Sequence, residues 1–559
     1  MPYMTGKQAL LALLKQEGVK LLFGNPGTTE LPLMDALAAE TELHYVLGLQ
    51  EASVMGMADG YAQASGQLAF CNLHVAPGLG NAMGMLYDAA KAGAPILVTA
   101  GQQDQTFSIT EPLLYGDVVE MARPLVKWAF EVHRLEDLPR AIHRAAKTAL
   151  APPTGPVFIG LPGDVLNASA DLDLGEPTRI AGGMRGDPAS ILDAASRLAR
   201  AEQPVVIAGD AVAQSHALGE IVIFAELLGA PVYDEGVPSR CGFPSTHPLY
   251  RGSFVRQQRV IRQILSQHDL VVSIGADLFT LSLPADVEAL PEGLAVIHLD
   301  TNPWEIGKNF PAQVAILGDP KTTLPDLSDA LARALSPAQR DRTRARADAV
   351  QSENAAEFAR LKARAKEMES ASPVQPLSLL AAVGELLGEN GVVIDESISS
   401  GTGLRRLLRS SDSRSVFGMR GGGIGWGLPA AIGVKLALPH RPVLGLIGDG
   451  SAMYSCQALW TAAHEKLRGL VIVILNNSSY RILKQRTNAM QQLAAQTDTY
   501  VGMDLINPRI DFIGLAKCMS VDAHKVSTIA EFRALLPRAL AADGPVLIDV
   551  EMDRNFKPV

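Results

Sequence analysis

Apolar residues recur along this chain as short runs set between segments of helical period. Lys7–Glu17 places its apolar positions on one face of a helix, and an apolar run at Val19–Phe23 follows. Further runs stand at Leu43–Leu49, Leu68–Leu73, Ile96–Thr99 and Val157–Leu161. The pattern resumes at Pro204–Ala208, Leu270–Ile274 and Val296–Leu299, then at Val392–Ile394, Val443–Ile447, Leu470–Leu475 and Val546–Val550. Runs this short, bounded by turn residues, predict buried strands. Strands alternating with helices predict parallel sheets, because a parallel crossover needs a helix to return the chain.

The runs fall into three groups. Residues 1–180 form the first α/β unit, ending at a Gly/Pro/Asp-rich break near Ala181–Pro188. Residues 188–340 form the second. A charged helical stretch rich in Arg, Ala and Glu occupies 341–375 and reads as a solvated connector. Residues 376–559 form the third unit. The expected fold is α/β, with three successive doubly wound parallel-sheet domains.

Composition narrows the class. Apolar residues make up 47% and charged residues 19% of 559 positions; the mean hydropathy is +0.13. This suits a well-buried chain too long for one core. Asp plus Glu exceeds Lys plus Arg by 59 to 49, with no basic stripe, which argues against nucleic acid as partner. The four cysteines (Cys71, Cys241, Cys456, Cys518) form no CxxC pair, so neither a zinc site nor a disulfide framework is indicated. The first residues read as an amphipathic helix rather than a signal peptide, and no apolar run reaches the ~18 residues of a membrane span. A reduced, cytoplasmic enzyme is expected.

The chemistry concentrates at two places. Between the third unit's runs at Val443–Ile447 and Leu470–Leu475 stands Gly448-Asp449-Gly450, and Asn476-Asn477 follows the second run. Asp449 and Asn477, 28 residues apart, are thus presented at two strand ends. Hard oxygen ligands suit Mg²⁺, which usually shares its shell with a ligand's phosphates. The glycines admit a diphosphate close to the backbone. In isolation, an ordinary βαβ turn would read the same way. In the first unit, Glu51 stands where the run Leu43–Leu49 passes into a helix, a position at which parallel sheets place ligands. A first-turn glutamate that stabilises the helix dipole is the plainer reading of Glu51 alone. Neither Gly78–Gly84 nor Gly421–Gly427 has the spacing of a dinucleotide loop.

Taken together, the motifs resemble the thiamine diphosphate enzymes of the pyruvate decarboxylase/acetolactate synthase superfamily, and within it the benzoylformate decarboxylases. The resemblance spans nearly the whole chain. It rests on Asn25–Pro32, on LQEASVMGMADGYAQASG (Leu49–Gly66), on LHVAPGLGNAMG (Leu73–Gly84), on LVTAGQQ (Leu97–Gln103) and on RPLVKW (Arg123–Trp128). GGGIGWGLPAAIG (Gly421–Gly433) and GDGSAMYSCQALWTAA (Gly448–Ala463) complete it.

The resemblance implies roles. The three units become pyrimidine-binding, central and diphosphate-binding domains, with thiamine diphosphate and Mg²⁺ as cofactors. Glu51 matches the glutamate that hydrogen-bonds the aminopyrimidine, and Ile424 the apolar wedge that bends the cofactor. The carbonyl of Gly422 matches the acceptor for the 4′-amino group. Asp449, Asn477 and the carbonyl of Ser479 match the metal ligands. Ser399, Gly450, Ser451, Tyr454 and Tyr480 match positions around the cofactor. His74 matches an acid/base histidine; a histidine bonded to loop backbone is the alternative. Thr28 stands where the family has a serine that binds the substrate carboxylate. The family builds each site across a dimer interface, which implies a homodimer or homotetramer. Its small-molecule substrate would be a 2-oxoacid.

Two departures stand out. A second family histidine would fall near Ser282, and Ile274–Pro284 contains none. Arg486 and Arg420 bring positive charge near the expected pocket. They are either surface helix charges or contacts for an anionic group or an acyl-CoA on the substrate. The leading expectation is non-oxidative decarboxylation of a benzoylformate-like or branched 2-oxoacid to an aldehyde, with carboligation as a companion reaction. An acetolactate synthase-type carboligase, an acyl-CoA decarboxylase or lyase, and a non-catalytic partner subunit are the alternatives. No FAD is expected in the central unit.

Overall fold

The computed structural model describes residues 2–281 and 283–556. Three six-stranded sheets follow one another along the chain, every strand pair in them parallel. The first sheet contains Leu21–Gly24, His44–Leu47, Ala69–Leu73, Ile96–Gln102, Ala129–Glu131 and Val157–Pro162. Numbered in chain order, these lie 2-1-3-4-6-5. The third sheet contains Val392–Glu396, Val416–Gly418, Val443–Gly448, Leu470–Asn476, Asp522–Val526 and Val546–Glu551, and repeats that order. The central sheet contains Pro204–Ala208, Val232–Asp234, Tyr250–Ser253, Leu270–Ile274, Ala295–Asp300 and Val314–Leu317. Its order is 3-2-1-4-5-6. The first and third units are thus two copies of one topology, and the central unit is a different doubly wound sheet.

Strand order locates the crevices. In an open parallel sheet, a ligand crevice forms at the carboxyl ends of two neighbouring strands whose connections leave in opposite directions. In the first sheet these are Leu21–Gly24 and Ala69–Leu73, whose exits carry Thr28 and His74. In the third they are Val392–Glu396 and Val443–Gly448, whose exits carry Ser399 and Asp449. Four of the sequence-predicted residues, Thr28, His74, Ser399 and Asp449, therefore follow the strands that topology marks for ligands; Glu51 and Asn477 follow the neighbouring strands His44–Leu47 and Leu470–Asn476.

The first and third units share one apolar core. Val54, Met55, Ala58 and Ala62 of the helix Glu51–Ser65 join Ala430, Ala431 and Val434 of the helix Gly427–Ala437. Small residues let the two backbones meet: a Cβ on Gly433 would overlap the Met57 carbonyl, and one on Gly60 would overlap Ala430. Gly433→Ala should therefore cost about 1–3 kcal/mol by forcing this helix pair apart. A melting temperature equal to wild type would refute that reading. The central unit keeps its own cores. The charged stretch is one helix, Pro337–Glu367, capped by Ser336. It is not merely solvated: Arg346 donates to the carbonyls of Gly229 and Glu202, and Arg251 bridges to Glu353 and Glu357, fastening it to the central unit. Among the described residues, no helix is long and apolar enough to cross a membrane.

Candidate active site

The first half-site begins at Glu51. Gln50 caps the helix by accepting from the Ser53 amide, so Glu51 occupies the first turn. Its carboxylate is buried and accepts from Asn81 Nδ2 at 3.0 Å. The neighbouring helix, Val75–Ala92, approaches closely because Gly78 has no side chain; a Cβ there would sit 3.1 Å from Glu51 Oε1.

His74 caps the start of that second helix, and its ring is held from one side. Nδ1 lies 2.7 Å from Glu30 Oε2 and 3.3 Å from Thr29 Oγ1. Glu30 is 2% exposed, yet well supplied with donors: the amides of Gly27 and Gly101 and the Thr29 hydroxyl all bond it. An anchored carboxylate facing Nδ1 makes that nitrogen the N–H donor, which leaves Nε2 to accept or deliver a proton. Glu30 has no role in the sequence reading. It lies inside the Asn25–Pro32 motif, but its contact with His74 spans 44 positions. Thr28 is exposed on the same turn, and Thr29, not Thr28, touches the ring.

The second half-site gathers at the third sheet. Asp449 begins a short helix directly after Val443–Gly448. Its Oδ1 accepts from the Gly450 amide at 2.9 Å; its Oδ2 is buried with no hydrogen-bond partner. Burial pushes its pKa up to about 6, against the opposing pull of the Gly450, Ser478 and Ser479 amides and of Arg481. Asn477 is buried too, its Oδ1 accepting from the Ser479 amide and hydroxyl at 3.1 and 2.8 Å. Ser478 between them adopts φ +50°, turning the loop back towards Asp449. Among the described residues there is no cluster of three His, Cys, Asp or Glu side chains that could hold a metal. Asp449 thus offers an unpartnered carboxylate oxygen, and Asn477 an amide oxygen that accepts from Ser479. That donor set fits a Mg²⁺ whose remaining ligands come from phosphates. Tyr480 packs over Gly450, where a Cβ would meet its ring, and Tyr454 lies beside Tyr480. Ser451 is buried, and Ser399 accepts from Arg481 Nε at 3.0 Å.

The turn Gly421–Gly427 is held from three sides by carboxylates. Glu396 accepts the amides of Gly425 and Gly427 at 2.6 and 2.5 Å. Asp88 accepts the Gly423 amide at 3.0 Å, and Asp59 accepts Trp426 Nε1 at 2.6 Å. Gly422, at φ +88°, has open space where a side chain would be, and Ile424 is half-buried. This cradle leaves the Gly422 carbonyl and Ile424 at an open face. None of the three carboxylates was legible as a site residue.

The trio makes stability depend on pH. Burial pushes Asp88 up to about 8, with Asp59 and Glu396 adding to the shift and the Gly423 amide opposing it. An unfolded aspartate ionises near ~4. Between these values the folded chain holds the extra proton, so stability falls as pH rises through 8. Asp88→Asn removes this dependence. Its melting temperature should improve relative to wild type as pH rises; a constant offset across the range would refute the assignment.

Arg420 lines a cavity at the central sheet's crevice, where its guanidinium donates to Asp210 Oδ2 at 2.8 Å and to Glu235. Of the two sequence alternatives, an exposed helix charge does not describe it: Arg420 is half-buried, and two buried carboxylates share its charge. Ser282, where the second histidine is missing, lies outside the described residues.

Known proteins match this arrangement throughout. Three family models cover the chain: the N-terminal TPP binding domain of thiamine pyrophosphate enzymes over 4–113, the central domain over 191–327, and the C-terminal TPP binding domain over 400–550. A benzoylformate decarboxylase of Pseudomonas aeruginosa is 34% identical over 549 residues, 98% of each chain.

The chain belongs to the thiamine pyrophosphate enzyme family.

A probable acetolactate synthase large subunit of Methanocaldococcus jannaschii is 28% identical over 98% of this chain and 92% of its own. Among solved structures, the thiamine diphosphate-dependent 4-hydroxybenzoylformate decarboxylase of Rhodococcus jostii RHA1 superposes with a TM-score of 0.86. It is 32% identical, covering 99% of this chain and all of its own. This thiamine pyrophosphate enzyme thus shares its fold and domain order with decarboxylases and with acetolactate synthases. The TPP-binding domains support thiamine diphosphate as its cofactor.

Proposed function

We propose that this chain is a thiamine diphosphate- and Mg²⁺-dependent lyase. It decarboxylates a benzoylformate-like or branched 2-oxoacid without oxidation and releases the aldehyde, with carboligation of aldehydes as a second reaction. The observation that carries this reading is the Glu30–His74 pair, 2.7 Å apart, at the same sheet crevice as Thr28. The decarboxylases named among its relatives support it.

When bound, thiamine diphosphate supplies the electron sink that makes loss of CO₂ feasible. The chain's residues do the rest. Glu51 would exchange a proton with the cofactor's aminopyrimidine. The Gly422 carbonyl would accept from its amino group, and Ile424 would hold the cofactor in its reactive conformation. Asp449, Asn477 and the Ser479 carbonyl would hold Mg²⁺, and Gly450, Ser451, Ser399, Tyr454 and Tyr480 would line the cofactor. Thr28 binds the substrate carboxylate. His74, oriented by Glu30, moves a proton at Nε2, where an imidazole works well near neutral pH.

The half-sites belong to different chains. Glu51 bonds Asn81, whereas its own chain's glycine turn docks on Asp59, eight residues further along the Glu51 helix and so about 12 Å away. Both half-sites expose apolar side chains, Leu31 and Leu49 on one and Tyr454 and Leu483 on the other. A homodimer or homotetramer covers them. A monomer active at high dilution would refute this. No flavin is part of this proposal: Arg420, at the central crevice, is already paired with Asp210 and Glu235 and is not free to receive a flavin's diphosphate. A yellow purified protein would overturn that.

The test is CO₂ release from benzoylformate, pyruvate, branched aliphatic 2-oxoacids and one dicarboxylic acid, with products identified by mass. Stoichiometric aldehyde from an aromatic or branched acid supports the reading. A second reading, a substrate with an additional anionic group, is kept by Arg486, which lies within electrostatic reach of Arg256. Arg486→Glu would then shift discrimination against anionic substrates; unchanged discrimination would sink it.

A further inference from the structure

The helix that follows the candidate metal loop, Arg481–Ala489, opens on a buried arginine. Arg481 is only 4% exposed. Its Nε donates to Ser399 Oγ at 3.0 Å, one terminal nitrogen to Ser400 Oγ at 2.6 Å, and the other to the Asp553 carbonyl at 3.0 Å. All three acceptors are neutral. Among the described residues, no carboxylate lies within ion-pairing distance of the guanidinium. Asp449 and Asp553 are within electrostatic reach, but the Asp553 carboxylate is engaged by Gln375 and the Asn555 amide.

A buried cation without a counter-ion is strongly disfavoured unless an anion completes it. Three of the five N–H groups of this guanidinium are used, which leaves two to donate. The position points to which anion this is. Arg481 is two residues beyond Ser479 and holds Ser399, which the proposed function places beside the cofactor's diphosphate. It also starts a helix, whose N-terminal end favours negative charge. A diphosphate carries more negative charge than a divalent cation with a single carboxylate ligand neutralises.

We propose that Arg481 is the buried counter-charge for the diphosphate of the cofactor, and that it presents Ser399 and Ser400 to the same group. This rests on the proposed cofactor site and assigns it a cationic residue beyond the metal ligands. The same arginine ties the loop after Val392–Glu396 to the chain exit at Asp553, so it joins three separate segments around one anion.

The experiment is titration of the metal-loaded apoprotein, with Mg²⁺ present, by thiamine diphosphate and separately by inorganic diphosphate. Wild type, R481Q and R481K are compared by calorimetry, and each variant's melting temperature is measured without ligand. R481Q should weaken both ligands by about 10- to 100-fold, the loss of charge-assisted hydrogen bonds. R481K keeps the charge and should recover much of the affinity. Unchanged affinities in R481Q would overturn the proposal and leave Arg481 a structural clamp. Should R481Q fail to fold, R481K alone discriminates: an affinity near wild type supports the counter-charge, and a collapse to non-binding overturns it. If wild type binds inorganic diphosphate but not thiamine diphosphate, the cofactor reading fails while the anion site stands.

Discussion

Glu51→Gln should abolish turnover while leaving the fold and the cofactor in place. The amide oxygen still accepts from Asn81, so the helix start keeps its hydrogen bond. What disappears is a group able to exchange a proton with the aminopyrimidine ring. General acid–base steps of this kind contribute about 10²- to 10⁴-fold, so kcat should fall by ~10³. Thiamine diphosphate affinity, measured by calorimetry, should change little. A variant that keeps most of its turnover would remove Glu51 from the mechanism. Loss of binding in step with turnover would make it a cofactor ligand only.

Asp449→Ala should act at the opposite step. It deletes the single charged ligand of the proposed metal site and the orphaned oxygen that Mg²⁺ would satisfy. Loss even of an outer-shell partner costs 10–100-fold in metal affinity, so cofactor binding should weaken by about 100-fold or more. Chelation of Mg²⁺ should release the cofactor from wild type in the same way. Cofactor affinity in Asp449→Ala equal to wild type, with or without chelator, would place the metal elsewhere.

The two variants together test the assembly. Each is inactive alone. In a mixed dimer of Glu51→Gln and Asp449→Ala chains, shared sites put both lesions into one site and leave the other intact. Mixing after dissociation and reassociation should therefore restore activity. No recovery, in a mixture shown to contain mixed dimers, would mean that each chain builds its sites alone.

The central strands of each sheet were legible to within three residues because both faces are buried, which leaves a continuous apolar run. Of the sheet edges, His44–Leu47 was legible and several others escaped. Ala129–Glu131 and Val416–Gly418 are three residues long, and Asp522–Val526 alternates with charged positions that face water. The placement of Asp449 and Asn477 was legible because both sit at strand ends within one βαβ unit. Local spacing then carries the geometry. His74 and Glu51 were legible for the same reason, each standing where a strand passes into a helix.

What remained hidden depends on contacts between distant segments. Glu30 orients His74 from 44 positions away, and Glu396, Asp88 and Asp59 converge on one glycine turn from two units. Arg420 read as either a surface charge or a substrate contact, and folding pairs it with Asp210 and Glu235, 210 and 185 positions off. Arg481 read as one charge in a basic helix, and burial made it a cation in need of an anion. Strand positions, the core and the ligand-bearing strand ends follow from periodicity and local spacing, which the chain carries in every short stretch. Which charges are paired, which are buried alone and which face the cleft follows from tertiary packing, because the cost of a charge is set by what surrounds it.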